Sequence, residues 1–393
     1  MAGVPSNGFE GLLGDLLKAM GGAPATAWFD AARGLAVSVV TDEQEGHNPD
    51  PVVRIRLEEL ARVVAMHLGE VTGAPVETEI EPVTRAAWAV AALTSWRPRL
   101  EPLIAASASP PPLPVEEGDA AAAMLARFTA SMGPMFVGLQ VGSTAGHLAE
   151  HALGSSAFPL PWPTADHALV VARNVEQFAS DWSLDVDAVT AFTVARELAA
   201  RVVYAHEPVA RRVEALLAEA TASQMAAQRS LLERLTEADS PGDLSALLGD
   251  PESFVESLAG LEAAAGGPAH DALNAAVTAL SAYLDELARV TAARVLGDAA
   301  RLAEAWHRHR TGDSKGVEAA AALFGVDLTR ERVDLGAAFV AGVIERDGLD
   351  ALGRLLADPS SLPTPAEIVA PGLWLARTSL PSLEDPEAPP SRS

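Results

Sequence analysis

The spacing of apolar residues constrains this chain more than any other feature. Between Asp185 and His206 they recur at Val186, Val189, Phe192, Ala195, Leu198, Ala199, Val202 and Val203, the three-or-four rhythm of an amphipathic helix. The same rhythm fills most of the 393 residues. It predicts helices over 9–34 (broken at Gly21-Gly22), 52–71, 80–103, 118–153, 166–182, 185–206, 208–236, 243–264, 270–311, 315–325 and 330–357. One short strand is expected at Leu35–Val40. The fold class is therefore mainly α, with at most a few short strands. Pro208 starts a new helix, because its missing N–H suits a first turn and not an interior.

Four regions follow from composition: an N-terminal helical region over 1–106, a proline-rich linker over 107–117, a helical domain over 118–378 and a disordered tail over 379–393. The linker holds Ser109-Pro-Pro-Pro-Leu-Pro114, which reads as an extended polyproline spacer. Apolar residues make up 49% of the chain and aromatics 5%, so the core is built from Ala, Leu and Val. Fifty-three acidic residues against 28 basic ones leave a net charge of −25, which argues against nucleic acid and anionic membrane surfaces as partners. There is no cysteine, which excludes disulfides, thiolate metal sites and Cys nucleophiles. No basic stretch followed by an apolar run opens the chain, and no window is long and apolar enough for insertion into a membrane. A cytoplasmic location is expected.

The helix at 185–206 contains Arg196-Glu197-Leu198-Ala199-Ala200. This has the shape of the metalloprotease helix motif H-E-x-x-H with only the Glu kept. In that motif two His, one turn apart, hold zinc while the Glu handles the proton. Here Arg196 offers a permanent cation and Ala200 a methyl group.

Four further segments, in order, give the motif its context. They are Arg85-Ala-Ala-Trp88 with Leu93 and Pro102-Leu103; Gly138 through Gly146-His-Leu-Ala149 with Leu153-Gly154 and Pro159-Leu-Pro161; Asn174; and Gly336-Ala-Ala-Phe-Val340 with Leu362 to Ile368 and Pro371-Gly-Leu-Trp374. Together they resemble a zinc-dependent metalloprotease-like family found mainly in actinobacteria and sometimes labelled as associated with deazaflavin-coenzyme biosynthesis. The resemblance covers most of residues 50–378. It implies a multi-helix, zincin-like scaffold for the 118–378 region. It puts the family's first two metal ligands at Arg196 and Ala200 and its general base at Glu197. Where the family's third ligand is expected, in an acidic Glu-Gly pair, this chain reads Ser281-Ala282. The usual zinc site is thus expected to be absent, with no cofactor.

Other residues offer chemistry of their own. His147-Leu-Ala-Glu-His151 matches the inverted pattern H-x-x-E-H and would supply zinc ligands His147 and His151 if a displaced site existed; surface or packed histidines are the plainer expectation. His206-Glu207 begins a partial motif that Pro208 and Ala210 spoil. Gly138, Gly142 and Gly146 give one glycine face, which admits a close neighbouring helix, the motif helix being one candidate. His307-Arg-His-Arg310 is a compact basic cluster that complements its own helix end or meets an acidic patch. Arg201, four residues after Glu197, is oriented to pair with it, whereas Arg196, as its direct neighbour, is not.

Three functional classes stay open on these grounds. One is a catalytically inactive relative of a metalloprotease, acting as a binding, regulatory or scaffold protein for an unknown protein or peptide. The second is an active zinc-dependent hydrolase using His147 and His151, with Glu197 catalytic. The third is a structural subunit of a homo-oligomer.

Overall fold

A computed structural model describes residues 27–40, 49–108, 120–161, 167–236, 267–312 and 314–379. Its centre is the motif helix, α6 (Val186–Ala205). The Asp185 carboxylate caps it by accepting from Ala188 N at 2.9 Å. Its apolar spacing implies one buried face, yet Ala191, Val194, Arg196 and Glu197 on the intervening faces are buried as well. A helix buried all round sits at the centre of a bundle, and alanines at 191, 195, 199 and 200 leave its neighbours room to approach.

Around it, in chain order, lie α1 (Ala27–Val40), α2 (Pro51–Thr72), β1 (Ile80–Val83), α3 (Arg85–Ser107), α4 (Ala120–Ala149), β2 (Ala168–Val171) and α5 (Ala172–Asp181). After α6 come α7 (Glu207–Thr236), α8 (Pro268–Leu296), α9 (Ala300–Arg310), α10 (Lys315–Phe324), α11 (Arg330–Asp347), a 3-10 segment (Leu349–Leu356), α12 (Pro365–Val369) and α13 (Pro371–Ser379). Helix α8 is the second buried rod, covered from His270 to Ala292, and it packs along α6. One apolar core runs from Trp28 to Leu375. No helix among the described residues is long and apolar enough to cross a membrane.

The mainly α, multi-helix architecture agrees with the sequence reading, but the strands lie elsewhere. Leu35–Val40 is helical, inside α1. Its β-branched residues yield to packing, since Trp28, Ala32 and Ala36 form a stripe against α4. The strands are instead β1 and β2, paired parallel with Ile80 opposite Ala168 and Val83 opposite Val171; both segments read as helical in sequence. Four-residue segments carry too little periodicity to tell strand from helix. Thr84 then starts α3, its hydroxyl accepting from Ala87 N.

Two long expected helices are divided. Gly297, at φ 84°, ends α8 before α9, and Gly348, at φ 82°, ends α11 before the 3-10 segment; an L side chain rarely adopts this backbone. The Gly21-Gly22 break, the 109–114 proline cluster, the 243–264 helix and the tail beyond 380 lie outside the described residues.

The glycine face of α4 meets α1, and not the motif helix. A Cβ on Gly138 would lie 2.6 Å from Trp28 O, one on Gly142 would overlap Ala32 O, and one on Gly146 would lie 3.1 Å from Ala36 O. Gly142→Ala is therefore expected to lose about 1–3 kcal/mol of stability through overpacking against backbone. Gly34→Ala, on the exposed side of α1 with nothing within 4 Å, is expected to gain about 0.5–1 kcal/mol of helix propensity. Urea denaturation of the two variants checks both signs.

Candidate functional site

Two adjacent charged residues, Arg196 and Glu197, are each only 3% exposed in the middle of α6. Such groups stay buried only when hydrogen-bonded or paired, and the partners come from three other parts of the chain.

The first is the segment after α4. Asn174 on α5 donates from Nδ2 to Ala149 O at 2.9 Å and Ala152 O at 2.7 Å, and Arg85 Nε donates to Asn174 Oδ1 at 2.6 Å. Trp88 Nε1 donates to Gly154 O at 2.9 Å. Leu169 N of β2 donates to Ser155 Oγ at 2.8 Å. Three of the four blocks that resembled a family in sequence thus meet here, on residues 149–154. Gly154 completes the docking, because a Cβ there would sit 2.5 Å from both Glu197 Cδ and Leu169 O.

So positioned, Ser156 serves both charges. Its backbone N lies 3.0 Å from each Glu197 oxygen, and its hydroxyl donates to Glu197 Oε1. Arg196 Nη1 donates to Ser156 O at 2.6 Å and to Ser156 Oγ. Sequence neighbours that cannot face each other directly are bridged by one serine. The expected Glu197–Arg201 pair does not form. Arg201 reaches out to the Glu77 carboxylate and to Glu79 O at 3.4 Å, because its place on α6 faces the β1 approach and not Ser156.

The second and third sources are α8 and α9. Arg196 Nε donates to Asp285 Oδ1 at 2.9 Å, Trp306 Nε1 donates to the same oxygen at 2.8 Å, and Arg310 pairs with Asp285 Oδ2. The Arg196 guanidinium lies over the Trp306 ring, 4.8 Å from its centroid, a favourable cation–π position. The basic cluster does meet acidic partners: Arg310 meets Asp285, Arg308 meets Glu304, and His307 lies 3.0 Å from Asp334.

The two carboxyls respond differently. Burial pushes Glu197 up from 4.5 to about 7, only partly offset by the Ser156 hydrogen bonds and the Arg196 charge. Burial acts on Asp285 in the same direction, but Arg310 and Arg196 outweigh it and hold that carboxyl below its ordinary value.

The positions where the resemblance puts metal ligands do not share one cavity. Arg196 and Ser281 line a cavity of about 260 Å³ beside α9. Ala200 and Glu197 line a separate one of about 60 Å³, with Ser155 and Ser156. The donor set does not suit a divalent cation. A guanidinium offers no acceptor, a methyl group none, and only the Ser281 hydroxyl supplies an oxygen. Among the described residues no group of three His, Asp or Glu is placed to hold a metal ion. His147 is exposed, 3.2 Å from Glu150 Oε2. His151 follows the end of α4, with its carbonyl oxygen 3.3 Å from His309 Nε2. His206 is exposed at the end of α6.

Sequence reasoning missed Ser156, Asp285 and Trp306, and named Arg310 only as part of a basic cluster that could meet an acidic patch. The one usable signal was Gly154, a glycine inside a block that carries the family resemblance, since close backbone approach to Glu197 is what it permits.

The fold and this buried centre define a mostly helical scaffold arranged around a Glu-bearing motif helix. The zincin-like metallopeptidase family matches residues 28–375, and the chain belongs to that family. A crystal structure described as a putative hydrolase with a novel fold, from Chloroflexus aurantiacus, shares the fold at TM-score 0.60 and 17% identity, over 89% of this chain and 98% of that one. No curated protein matches the chain.

The Glu197 carboxyl holds its proton longer in the folded than in the unfolded state. Its contribution to stability is fully present below about pH 4.5 and is lost as pH rises through about 7. The stability of the wild type relative to Glu197→Gln is therefore expected to fall by on the order of 3 kcal/mol between about pH 4.5 and 7.5. Urea melts of both proteins across this range measure it, and parallel curves would assign the titration to another group.

Proposed function

We propose that this chain is a catalytically inactive member of its family, in which a buried ion-pair network stands where a zinc centre would be, and that it acts by binding. The observation that carries this reading is the guanidinium of Arg196. It stands where the resemblance puts the first ligand of the motif helix and is engaged by Asp285, Ser156 and the Trp306 ring. Breaking a buried pair of this kind costs about 3–5 kcal/mol, so the residue is integral to folding and is not free to make way for a metal. A guanidinium and a methyl group at positions 196 and 200 offer nothing to hold a metal-bound water beside Glu197, and its two oxygens are already engaged by Ser156. On this reading the protein works in the cytoplasm as a binding, regulatory or scaffold protein, and its ligand is a protein or peptide.

The test is the metal content of tag-free protein after incubation with zinc and desalting, measured by elemental mass spectrometry and followed by a peptidase screen. Near-zero zinc and no cleavage are expected. About one tightly held zinc per chain would overturn the proposal, and its loss on changing His147 and His151 to Ala would assign it to the displaced site.

A further inference from the structure

The cavity of about 260 Å³ lies where the end of α4, α6, α8, α9 and α10 meet. Its walls are largely apolar, with Leu148, Leu153, Trp182, Val317, Leu328 and Val333. Its charged lining, among the described residues, is cationic. Arg196, Arg308 and Arg310 contribute, and no Asp or Glu occurs among its described lining residues, in a chain with 53 acidic residues against 28 basic ones. Asp285 sits behind this lining and is shared by two guanidinium groups through Arg196 Nε and Arg310 Nη1. The carboxyl next to them, Glu197, is engaged by Ser156 and pushed up to about 7 by burial, so it offsets the second guanidinium only in part.

Free donors accompany the charge. Ser281 lines the cavity and is 2% exposed, and its almost wholly buried Oγ has no hydrogen-bond partner among the described residues. Arg310 uses Nη1 on Asp285 and has no other hydrogen bond within the described structure. Buried or half-buried donors without acceptors are costly. A carboxylate satisfies this set, since its two oxygens match the guanidinium fork. The apolar walls demand more than a bare ion. The volume lies between the roughly 150 Å³ that admits benzene and the roughly 300 Å³ of small drug-binding pockets.

We infer that this cavity binds a carboxylate attached to one compact apolar group, with Arg310 and Ser281 on the carboxylate and the aliphatic wall on the apolar part. Two sources share that chemistry: a small branched or aromatic acid, and the free C-terminal residue of a peptide ending in an apolar side chain. The inference extends the binding role proposed above. Its test is run in EDTA, so that metal content, which decides the earlier reading, does not enter.

The experiment is calorimetric titration of the full chain with 4-methylpentanoate, with 4-methylpentanamide as its uncharged counterpart, and with acetyl-Ala-Ala-Leu as free acid and as C-terminal amide. Each acid is expected to bind about tenfold or more tightly than its amide, the worth of one hydrogen bond to a charged group. A tighter peptide acid identifies the C-terminal residue as the natural source, and a tighter small acid identifies the free compound. Ser281→Ala removes a hydroxyl with no partner, so it should leave thermal stability unchanged while weakening the acids about tenfold. Val317→Trp should fill the cavity and abolish binding. Acids and amides of equal affinity, no binding by any of the four, or binding that survives Val317→Trp would each overturn the inference.

Discussion

A guanidinium buried in the middle of a helix cannot be left unmatched, and the architecture around α6 is organised by that requirement. Arg196 draws Asp285 from α8, Trp306 from α9 and Ser156 from the segment after α4. Each partner lies tens of residues away in sequence, so satisfying one side chain fixes how three elements sit on α6. Asp285 then fixes Arg310 as well, which ties the end of α9 to α8. Replacing such a network with apolar residues can be neutral, whereas removing one member strands a charge. The network is thus a condition for this packing more than a source of net stability.

Close approach makes the network reachable. Gly154 lets backbone lie against the Glu197 carboxyl, and Gly316 lets α10 lie on the end of α4, where a Cβ would be 2.5 Å from Leu148 N. The alanines of α6 keep its neighbours near. Arg85, Trp88 and Asn174 hold residues 149–154 in place through hydrogen bonds to backbone carbonyls and to one another. None of these three touches Glu197 or Arg196, yet together they determine where Ser156 stands. Farther off, Trp374 packs edge-on against Phe339, their ring centroids 5.4 Å apart, and α11 bears on α8 through Gly336, where a Cβ would be 2.8 Å from Thr278 O. These contacts brace the helix that carries Ser281 and Asp285.

What could be read from sequence follows the range of the interactions. The helix at 186–205 was legible because its periodicity is local and sustained. Glu197 stood out because a motif surrounded it. The pairing of Glu197 with Arg201 was inferred from helix geometry alone, and it failed because tertiary partners decide which neighbours a buried charge meets. Arg201 found Glu77, and Glu197 found Ser156. Asp285 and Trp306 carry no local pattern that marks them as partners of Arg196, and nothing local marks Arg310 as the second cation on Asp285. The strands at 80–83 and 168–171 were illegible for a related reason: each is short, and only its pairing with the other makes it a strand. Arg85, Trp88, Asn174 and Gly154 were visible as blocks of a family resemblance, but not as the parts of one hydrogen-bonded corner.

The two buried carboxyls show how position sets the charge of this centre. Asp285 faces two guanidinium groups and an indole N–H, so its charged form is stabilised despite burial. Glu197 has a serine between itself and the nearest cation, and burial dominates. Near neutral pH, then, Asp285 is held in its charged form while burial pushes Glu197 toward its neutral form, against two arginines that stay charged. The balance at the heart of α6 tips positive, although the chain as a whole is strongly acidic. A divalent cation needs the opposite sign at its site, whereas an anion is drawn to this one. The same residues that make the centre unsuited to zinc therefore make the neighbouring cavity suited to a carboxylate. Both consequences follow from an arginine at position 196 with its partner shared.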